Sequence, residues 1–278
     1  GIAGARNAAY PFIKGEYTLF VDDDDTIEPD LCEKAVAVAD AEQADTTYFV
    51  IDYGQNFLNQ KYKHLYHWGR QIAGLIGKDP LTENDYSILF KHPMIWTKLW
   101  RTRFLLDNDI RCPAGQYCED TFMNWKALVH HPKIALLPKV MYHYRKYSSS
   151  TLHEPSKKYL MGVPATYDLI KEMLLETGNY HGIWKQLFLY HKLWSLRSAY
   201  YPLPTYRQAE YLRMVKAQIG RDELEYLTQE NKLNRSVRAF YNSLQGSRFA
   251  AVENTVYITL RNAEILFRKF RDKLKRAG

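Results

Sequence analysis

In the stretch YTLFVDDDDT, residues 17–26, an apolar, β-prone run ends in four consecutive acids. Residues 17–21 are mostly aromatic or β-branched, which predicts a short buried strand. Four consecutive carboxylates, residues 22–25, follow at the carboxyl end of that strand. Ligand crevices in open α/β sheets lie at such ends, and clustered carboxylates bind hard cations such as Mg²⁺ or Mn²⁺. At this point the acids are equally consistent with a metal site and with an acidic surface turn.

The composition of the 278-residue chain is that of an ordinary globular protein, with 46% hydrophobic and 25% charged residues. Its 3 cysteines are too few, and odd in number, for a secreted disulfide framework. We therefore expect free thiols and a cytoplasmic protein. Because the chain begins at Gly1 within structured-looking sequence, we also expect it to be the C-terminal part of a longer protein.

The charge is distributed unevenly along the chain. Residues 1–150 carry 17 Lys+Arg and 19 Asp+Glu, net −2, whereas residues 151–278 carry 21 and 12, net +9. A basic surface suits phosphate-rich partners such as anionic lipid headgroups, although it also simply promotes solubility. The basic helix predicted over residues 250–275 suggests peripheral contact with the inner face of the cell membrane. The absence of a recognisable binding motif argues against a nucleic-acid partner.

The order of predicted elements divides the chain into two domains. In residues 1–152, strands at 17–21, 45–52, 134–137 and 140–144 alternate with helices, which predicts an α/β domain. One of these helices begins after residue 28, with Asp25 or Thr26 as its N-cap. Residues 153–278 show helical periodicity almost throughout and predict an all-α domain. The boundary is expected near the serine run at residues 148–150.

Three polar clusters in the first domain carry candidate chemistry. They are the acids at 22–25, the pair Glu119–Asp120 before a predicted helix, and residues 143–145 followed by serines. The first cluster could bind a divalent metal, a carboxylate of the second could act as a general base, and the arginine and hydroxyls of the third could bind phosphate. Together these groups suit a transfer reaction that releases a diphosphate.

The motifs in these clusters resemble glycosyltransferase family 2, whose catalytic domains have the Rossmann-like GT-A fold for nucleotide-diphospho-sugars. The resemblance covers residues 1 to about 152 and rests on motif order, spacing and context. The matching motifs are Ala5-Arg6-Asn7, Gly15-Glu16-Tyr17, FVDDDD at 20–25, WTKL at 96–99, Pro113-x-Gly115, Glu119-Asp120, and Tyr142-x-Tyr144-Arg145 with the serines at 148–150.

The resemblance implies roles for the acidic residues. Asp22 and Asp24 correspond to the two acids of the Asp-x-Asp motif, with Asp22 toward the ribose and both near a Mn²⁺ or Mg²⁺ ion on the diphosphate. Asp120 corresponds to the catalytic base that deprotonates the acceptor hydroxyl. Glu119 is expected to orient that base or the acceptor.

Further residues acquire binding roles from the same resemblance. Nucleotide and diphosphate binding falls to Arg6 on the nucleobase side, and to Arg145, Ser148 and Ser149 in a lid. Sugar or acceptor binding falls to Trp96, Lys98 and His143, although burial in the core is an equally simple explanation for Trp96.

The implied reaction is inverting transfer of a sugar from a nucleotide sugar, most simply a UDP-sugar, to a hydroxyl of a cell-surface glycan or lipid-linked precursor. The family has nucleobase-binding elements before the Ala-Arg-Asn helix, so the GT-A domain is expected to be incomplete at its N-terminus and the chain alone to bind donor weakly.

Two alternatives are a Mg²⁺-dependent phosphatase of the haloacid dehalogenase type, with Asp22 as nucleophile, and a non-catalytic glycan-binding scaffold. The Gly-Asp-x-x-x-Asp motif that such phosphatases have later in the chain is absent from this sequence.

Overall fold

The structure is a computed structural model that describes residues 1–52, 81–91, 93–115, 118–145, 157–200 and 205–229, with isolated residues at 71–72, 74–75, 78, 203, 240–242 and 244. The described strands are β1 (Tyr17–Leu19), β2 (Thr26–Ile27), β3 (Thr46–Asp52), β4 (Lys98–Arg101) and β5 (Ile134–His143). The described helices are α1 (Ile2–Ala9), α2 (Leu31–Glu42), α3 (Glu83–Phe90), α4 (Thr102–Asp107), α5 (Glu119–Val129), α6 (Lys157–Glu176), α7 (Gly182–Tyr200), α8 (Thr205–Gln218) and α9 (Arg221–Gln229).

The strands form one mixed sheet in the order β1-β4-β3-β5-β2. β3 and β5 run parallel at its centre, and the other pairs are antiparallel. Five of the seven side chains of β3 are buried, consistent with a central strand that is covered on both faces. The pairing places the start of β2 beside the end of β5, because Thr26 pairs with His143.

Helix α2 packs on this sheet through a stripe of small and apolar residues. Leu31, Ala35 and Ala39 are buried at helical spacing, as the sequence predicts, and the helix contacts β3 and β5. The helix ends at Gln43, whose left-handed backbone (φ 48°) forms the C-cap. This packing fixes the segment that follows the four acids.

Helix α1 is fastened to the loop before α5 by its polar side chains. The Asn7 amide donates to the Cys112 carbonyl at 2.7 Å and accepts from the Cys112 backbone N–H at 3.2 Å. The Tyr10 hydroxyl donates to the Ile110 carbonyl at 2.5 Å. An apolar core lies below these bonds and joins α1, β4, α4 and α5; it comprises Ala3, Ile95, Trp100, Phe104, Leu105, Ile110, Cys112, Met123 and Ala127.

The strand predicted over residues 17–21 is present as β1, but it is shorter, covering Tyr17–Leu19, and it is a half-buried edge strand and not a buried one. Two further predictions about local structure are wrong. The two strands expected around Pro138 are one strand, β5, which keeps Pro138 in an exposed segment beside register shifts in its pairing with β3. The N-cap expected at Asp25 or Thr26 is also wrong, because Thr26 begins β2 and α2 starts after Asp30. Strand pairing to β5 takes precedence there over capping.

The chain separates into two compact units, Gly1–Leu187 and Phe188–Gly278. The α/β unit followed by helices confirms the predicted fold class, and α6 packs against α5 within the first unit. The second unit has a buried ion pair between Lys192 and Glu223, 3.1 Å apart, that joins α7 to α9. The domain boundary expected at 152/153 lies outside the described residues and stays a prediction, as does any role for the basic helix over residues 250–275.

The three cysteines are free thiols, in agreement with the sequence-based expectation. In the part of the chain that the structure describes, no helix combines the length and the apolarity needed to cross a membrane.

Candidate active site

Residues 22–25 form a tight acidic turn that leads directly into β2 and is separated by residues 20–21 from the end of β1 at Leu19. The turn is closed by a hydrogen bond from the Asp25 backbone N–H to the Asp22 carbonyl at 3.2 Å. The Tyr142 hydroxyl accepts from the Asp22 backbone N–H at 3.2 Å and donates to the Asp25 carboxylate at 2.7 Å. The Arg145 backbone N–H donates to the same carboxylate at 2.8 Å. Asp25 is therefore a buried structural residue that fastens the turn to β5.

The pKa values of Asp25 and Tyr142 reflect this burial. Burial raises the pKa of Asp25, and the hydrogen bonds from Arg145 and Tyr142 oppose the rise. Burial and the hydrogen bond to Asp25 also raise the pKa of the Tyr142 hydroxyl. The hydroxyl thus remains a donor to Asp25 at neutral pH.

The other acids of the turn have different surroundings. Asp23 and Asp24 are exposed, while Asp22 is partly buried and its Oδ1 accepts a hydrogen bond from Arg6 at 2.9 Å. Arg145 Nε donates to the backbone carbonyl of Asp24 at 2.8 Å, which leaves the Asp24 carboxylate directed to solvent. The turn therefore presents Asp22 and Asp24 in positions where their oxygens can meet a ligand.

A single guanidinium gathers acids from two distant segments. Arg6 Nη1 donates to Asp120 Oδ1 at 2.6 Å and to Glu119 Oε1 at 3.1 Å, while Nη2 donates to Asp22. The Arg6 side chain is 11% exposed, and those of Glu119 and Asp120 are 16% and 20% exposed. We call these four residues, Arg6, Asp22, Glu119 and Asp120, the Arg6 cluster.

Local sequence explains why Glu119 and Asp120 lie in this cluster. Both occupy the first turn of α5, where backbone N–H groups and the helix dipole favour negative charge. The chain enters the helix through Cys118 in the left-handed region, at φ 63°. That backbone conformation is uncommon for a residue other than glycine, so the turn into α5 is tightly specified.

The electrostatics of the cluster set the protonation state of Asp120. Burial raises the pKa of Asp120 to about 6, with further increases from Glu119 and Asp22, while Arg6 and Lys98 act in the opposite direction. Burial alone would lower the pKa of Arg6, but Asp120 and Asp22 raise it above its ordinary value, so Arg6 stays charged. A carboxylate with a pKa close to neutral is suited to accept a proton.

The residues around the turn fit a hard divalent cation. Asp24 offers an exposed carboxylate, and Asp22 retains Oδ2 beside the oxygen bonded to Arg6. Oxygen ligands of this kind suit Mg²⁺ or Mn²⁺, which commonly use one or two carboxylates and complete their coordination with substrate phosphates. Within the described ranges, no group of three or more His, Cys, Asp or Glu side chains converges as metal ligands.

The residues expected to bind a sugar or acceptor lie in less open positions. Lys98 is completely buried, and its ammonium donates to Asn124 Oδ1 at 2.5 Å, so in this conformation it offers no surface to a sugar. Trp96 is 6% exposed and stacks with both Tyr142 and Tyr144, at ring-centroid distances of 4.7 and 5.7 Å. Both residues are buried in this structure, and their role in binding a sugar or acceptor stays a prediction.

His143 and Arg145 lie at the end of β5, beside the acidic turn. His143 is hydrogen-bonded to Glu28 at 2.7 Å and to Asp52 at 3.4 Å, and the bond to Glu28 raises its pKa. Arg145 is exposed and close enough to the turn to meet a bound diphosphate. Ser148 and Ser149, expected in the same lid, lie outside the described residues.

The structure adds features that the sequence did not reveal. The family resemblance implies a place for Arg6 on the nucleobase side, which stays a prediction; in the structure its guanidinium contacts both Asp22 and Asp120. Tyr142, which is hydrogen-bonded to both ends of the acidic turn, belongs to the Tyr-x-Tyr-Arg motif but is not among the site residues that the sequence predicts. Its motif also contains Arg145, which contacts the same turn, and this is the signal in the sequence by which Tyr142 could be found.

Comparison with known proteins identifies the class of this α/β domain. Residues 1–109 match the family model described as glycosyl transferase family 2. Over this region the chain is similar to glycosyltransferase family 2. The family match also favours a transferase over the phosphatase alternative.

The curated relatives share this class. The chain is 25% identical over 196 residues to EpsH of Bacillus subtilis, named as a glycosyltransferase, covering 67% of this chain and 54% of EpsH. It is 30% identical over 144 residues to the poly(ribitol-phosphate) β-N-acetylglucosaminyltransferase TarS of Staphylococcus aureus, covering 50% of this chain and 22% of TarS. The chain thus spans about half the length of EpsH and a smaller share of TarS.

Solved structures show the fold. The structure of S. aureus TarS residues 1–349 in complex with UDP-GlcNAc superposes with a TM-score of 0.57 and 17% identity, covering 88% of this chain and 72% of that one. The described chain therefore has the GT-A fold with a helical C-terminal portion, as the sequence predicts.

We expect the acids of the turn to differ in their effects on stability. Asp25→Ala should lower the free energy of unfolding by about 2–3 kcal/mol, because it leaves the buried Tyr142 hydroxyl and Arg145 N–H without their acceptor. The matched variant Asp23→Ala removes an exposed carboxylate and should change stability by less than about 0.5 kcal/mol. Urea unfolding of both variants measures the difference, and equal losses would contradict a structural role that is specific to Asp25.

Neutralising Asp120 should stabilise the protein at neutral pH. Because its folded pKa, about 6, lies above the model-compound value of 3.8, the folded state binds the proton more tightly than the unfolded state does. Stability therefore falls as the pH rises from about 4 to about 6. Asp120→Asn should raise the unfolding free energy by about 1–3 kcal/mol at pH 7 and by little at pH 4. Urea titrations at the two pH values test this, and a variant that is less stable at pH 7 would refute it.

Proposed function

We propose that this protein transfers a sugar from a nucleotide-diphosphate sugar to an acceptor hydroxyl, with inversion at the anomeric carbon. The observation that carries the proposal is the Arg6 cluster, in which one guanidinium joins the metal candidate Asp22 to the base candidate Asp120. A leaving diphosphate and an attacking hydroxyl require these two functions side by side. The match of residues 1–109 to the family model of glycosyl transferase family 2 supports the same reaction class.

In this proposal, Asp24 and Asp22 form the part of the site that binds the sugar donor. Their oxygens would bind a Mn²⁺ or Mg²⁺ ion, which when present neutralises negative charge on the diphosphate. Arg145, placed on the Asp24 carbonyl, reaches the same region with a charge that suits phosphate. Ser148 and Ser149 follow it in the sequence and would add hydroxyl donors.

Asp120 carries out the proton transfer. As the acceptor oxygen forms its bond to the anomeric carbon, the carboxylate of Asp120 takes the hydroxyl proton, and the bond from that carbon to the diphosphate oxygen breaks with its electron pair. Arg6 keeps Asp120 largely ionised above pH 6, since its charge opposes the rise in pKa that burial causes. Attack on one face and departure from the other gives inversion in a single displacement.

The donor is proposed to be a UDP-sugar and the acceptor a cell-surface glycan or its lipid-linked precursor. Support comes from the relatives, since TarS is named for N-acetylglucosamine transfer to poly(ribitol-phosphate) and its structure contains UDP-GlcNAc. Such a reaction would take place at the cytoplasmic side of the cell envelope. Peripheral membrane contact through residues 250–275 would bring the site to a lipid-linked acceptor.

Two substitutions should separate the roles of the donor end and the base. In the full-length protein, Asp24→Asn and Asp120→Asn should each reduce sugar transfer at least about 100-fold, measured with UDP-sugars and Mn²⁺. Only Asp24→Asn should weaken Mn²⁺-dependent binding of UDP in titration calorimetry. Asp120→Asn should bind UDP as the unmodified protein does, because its carboxylate acts on the acceptor.

The matched control for these variants is Asp23→Asn, which removes one charge from the same turn at an exposed position. It should retain both UDP binding and transfer. Equal loss of UDP binding in Asp24→Asn and Asp120→Asn would contradict the division of roles.

A further inference from the structure

Lys98 is a buried cation that the proposed reaction does not use. Its side chain, on β4, is 0% exposed, and within the described residues its one hydrogen bond goes to the neutral amide of Asn124. The ammonium also lies over the rings of Tyr48 and Trp100, 5.0 and 5.3 Å from their centroids. Burial is expensive for an ammonium that has no carboxylate in contact.

The second unit shows a more usual solution for a buried lysine. Lys192 is also almost fully buried, but its ammonium contacts the carboxylate of Glu223 at 3.1 Å. An ion pair in contact offsets much of the cost of removing both charges from water. Lys98 has no such carboxylate in contact among the described residues.

Helix α5 connects Lys98 to Asp120. Asn124, which holds the Lys98 ammonium, lies four residues after Asp120 on this helix. Residues at this spacing occupy the same helical face, one turn apart. The Asn124 amide also donates to the Leu89 carbonyl at 3.4 Å, so α5 is attached on this face to both β4 and α3.

Lys98 is one of several charged groups that act on the Asp120 carboxylate. Arg6 approaches the carboxylate from α1, Asp22 adds negative charge from the acidic turn, and Glu119 adds negative charge from α5 itself. Lys98 is the cation on the β4 side, and it interacts favourably with Asp120. Burial lowers the pKa of Lys98 to about 7, with Asp120 acting in the opposite direction. The ammonium therefore keeps its proton through most of the range in which Asp120 ionises.

We infer that Lys98 is a positioning residue for Asp120: it fixes the inner face of α5 through Asn124 and places a buried positive charge behind the carboxylate that accepts the proton. This inference rests on the proposed function only in calling Asp120 the base. It differs from a sugar-binding role, since Lys98 acts through α5 and touches no substrate.

The link between the two residues can be measured without any enzymatic activity. In the 278-residue chain with ¹³C-labelled lysine, the shift of the Lys98 Cε carbon reports its titration. Asp120→Asn should lower the Lys98 pKa by about half a unit or more, because a favourable negative charge is lost. Asp109→Asn is the matched control, since Asp109 pairs with Arg111 and Lys126 on the surface, and it should leave the Lys98 pKa unchanged.

The positioning role has its own measurement in the full-length protein. Lys98→Met should move the acidic limb of the pH profile of kcat/KM upward by about half a pH unit, a roughly threefold loss on that limb, with the KM for donor unchanged. Lys126→Met removes a cation from the same helix and should leave the profile in place.

The outcomes of the two measurements are distinct. A Lys98 pKa that is the same in the unmodified chain and in Asp120→Asn overturns the inference, as does an equal loss of kcat/KM at every pH in Lys98→Met. If the protein shows no sugar transfer, the proposed function fails while the NMR titration still decides the coupling. The titration also stands if Lys98→Met does not fold, since its variants retain Lys98.

Discussion

The constraint on which the site depends is the crowding of Asp22, Glu119 and Asp120 around one buried guanidinium. Like charges this close disfavour each other's ionisation, and burial adds to the penalty. Arg6 makes the arrangement possible by donating to all three acids. Removal of the cation would leave partly buried carboxylates without a counter-charge, which is far more costly than loss of an exposed ion pair.

The rest of the first unit holds the partners of Arg6 in place. Asn7 fastens α1 to Cys112 through two hydrogen bonds, and Cys112 lies a few residues before α5. Tyr142 and Asp25 attach the acidic turn to β5. Each acid therefore approaches Arg6 from an anchored segment, which reduces the entropy lost on bringing the charges together.

Much of the fold was predictable because it depends on local patterns. The β-branched run of β3 and the four-residue spacing of Leu31, Ala35 and Ala39 are read directly from sequence periodicity. The expected strand break at Pro138 was wrong, since β5 tolerates a proline where its pairing with β3 is already irregular.

The site was less predictable because its contacts are long-range. The acids were recognisable from their motifs, but the pairing of Arg6 with Asp120 joins residues 114 positions apart. Burial of Lys98 and Trp96 likewise depends on helices and strands that pack over them, which a motif does not reveal. The four acids of the turn, alike in sequence, differ in the structure because only Asp25 meets Tyr142 and only Asp22 meets Arg6.

The role of Arg6 in ionising Asp120 is tested most directly by titration of the Asp120 carboxyl, followed by ¹³C NMR in the unmodified chain and in Arg6→Met. If Arg6 holds Asp120 ionised, the pKa of Asp120, about 6, should rise by about one unit in Arg6→Met. An Asp120 pKa that stays the same or falls in the folded variant would contradict a central role for the Arg6 cluster.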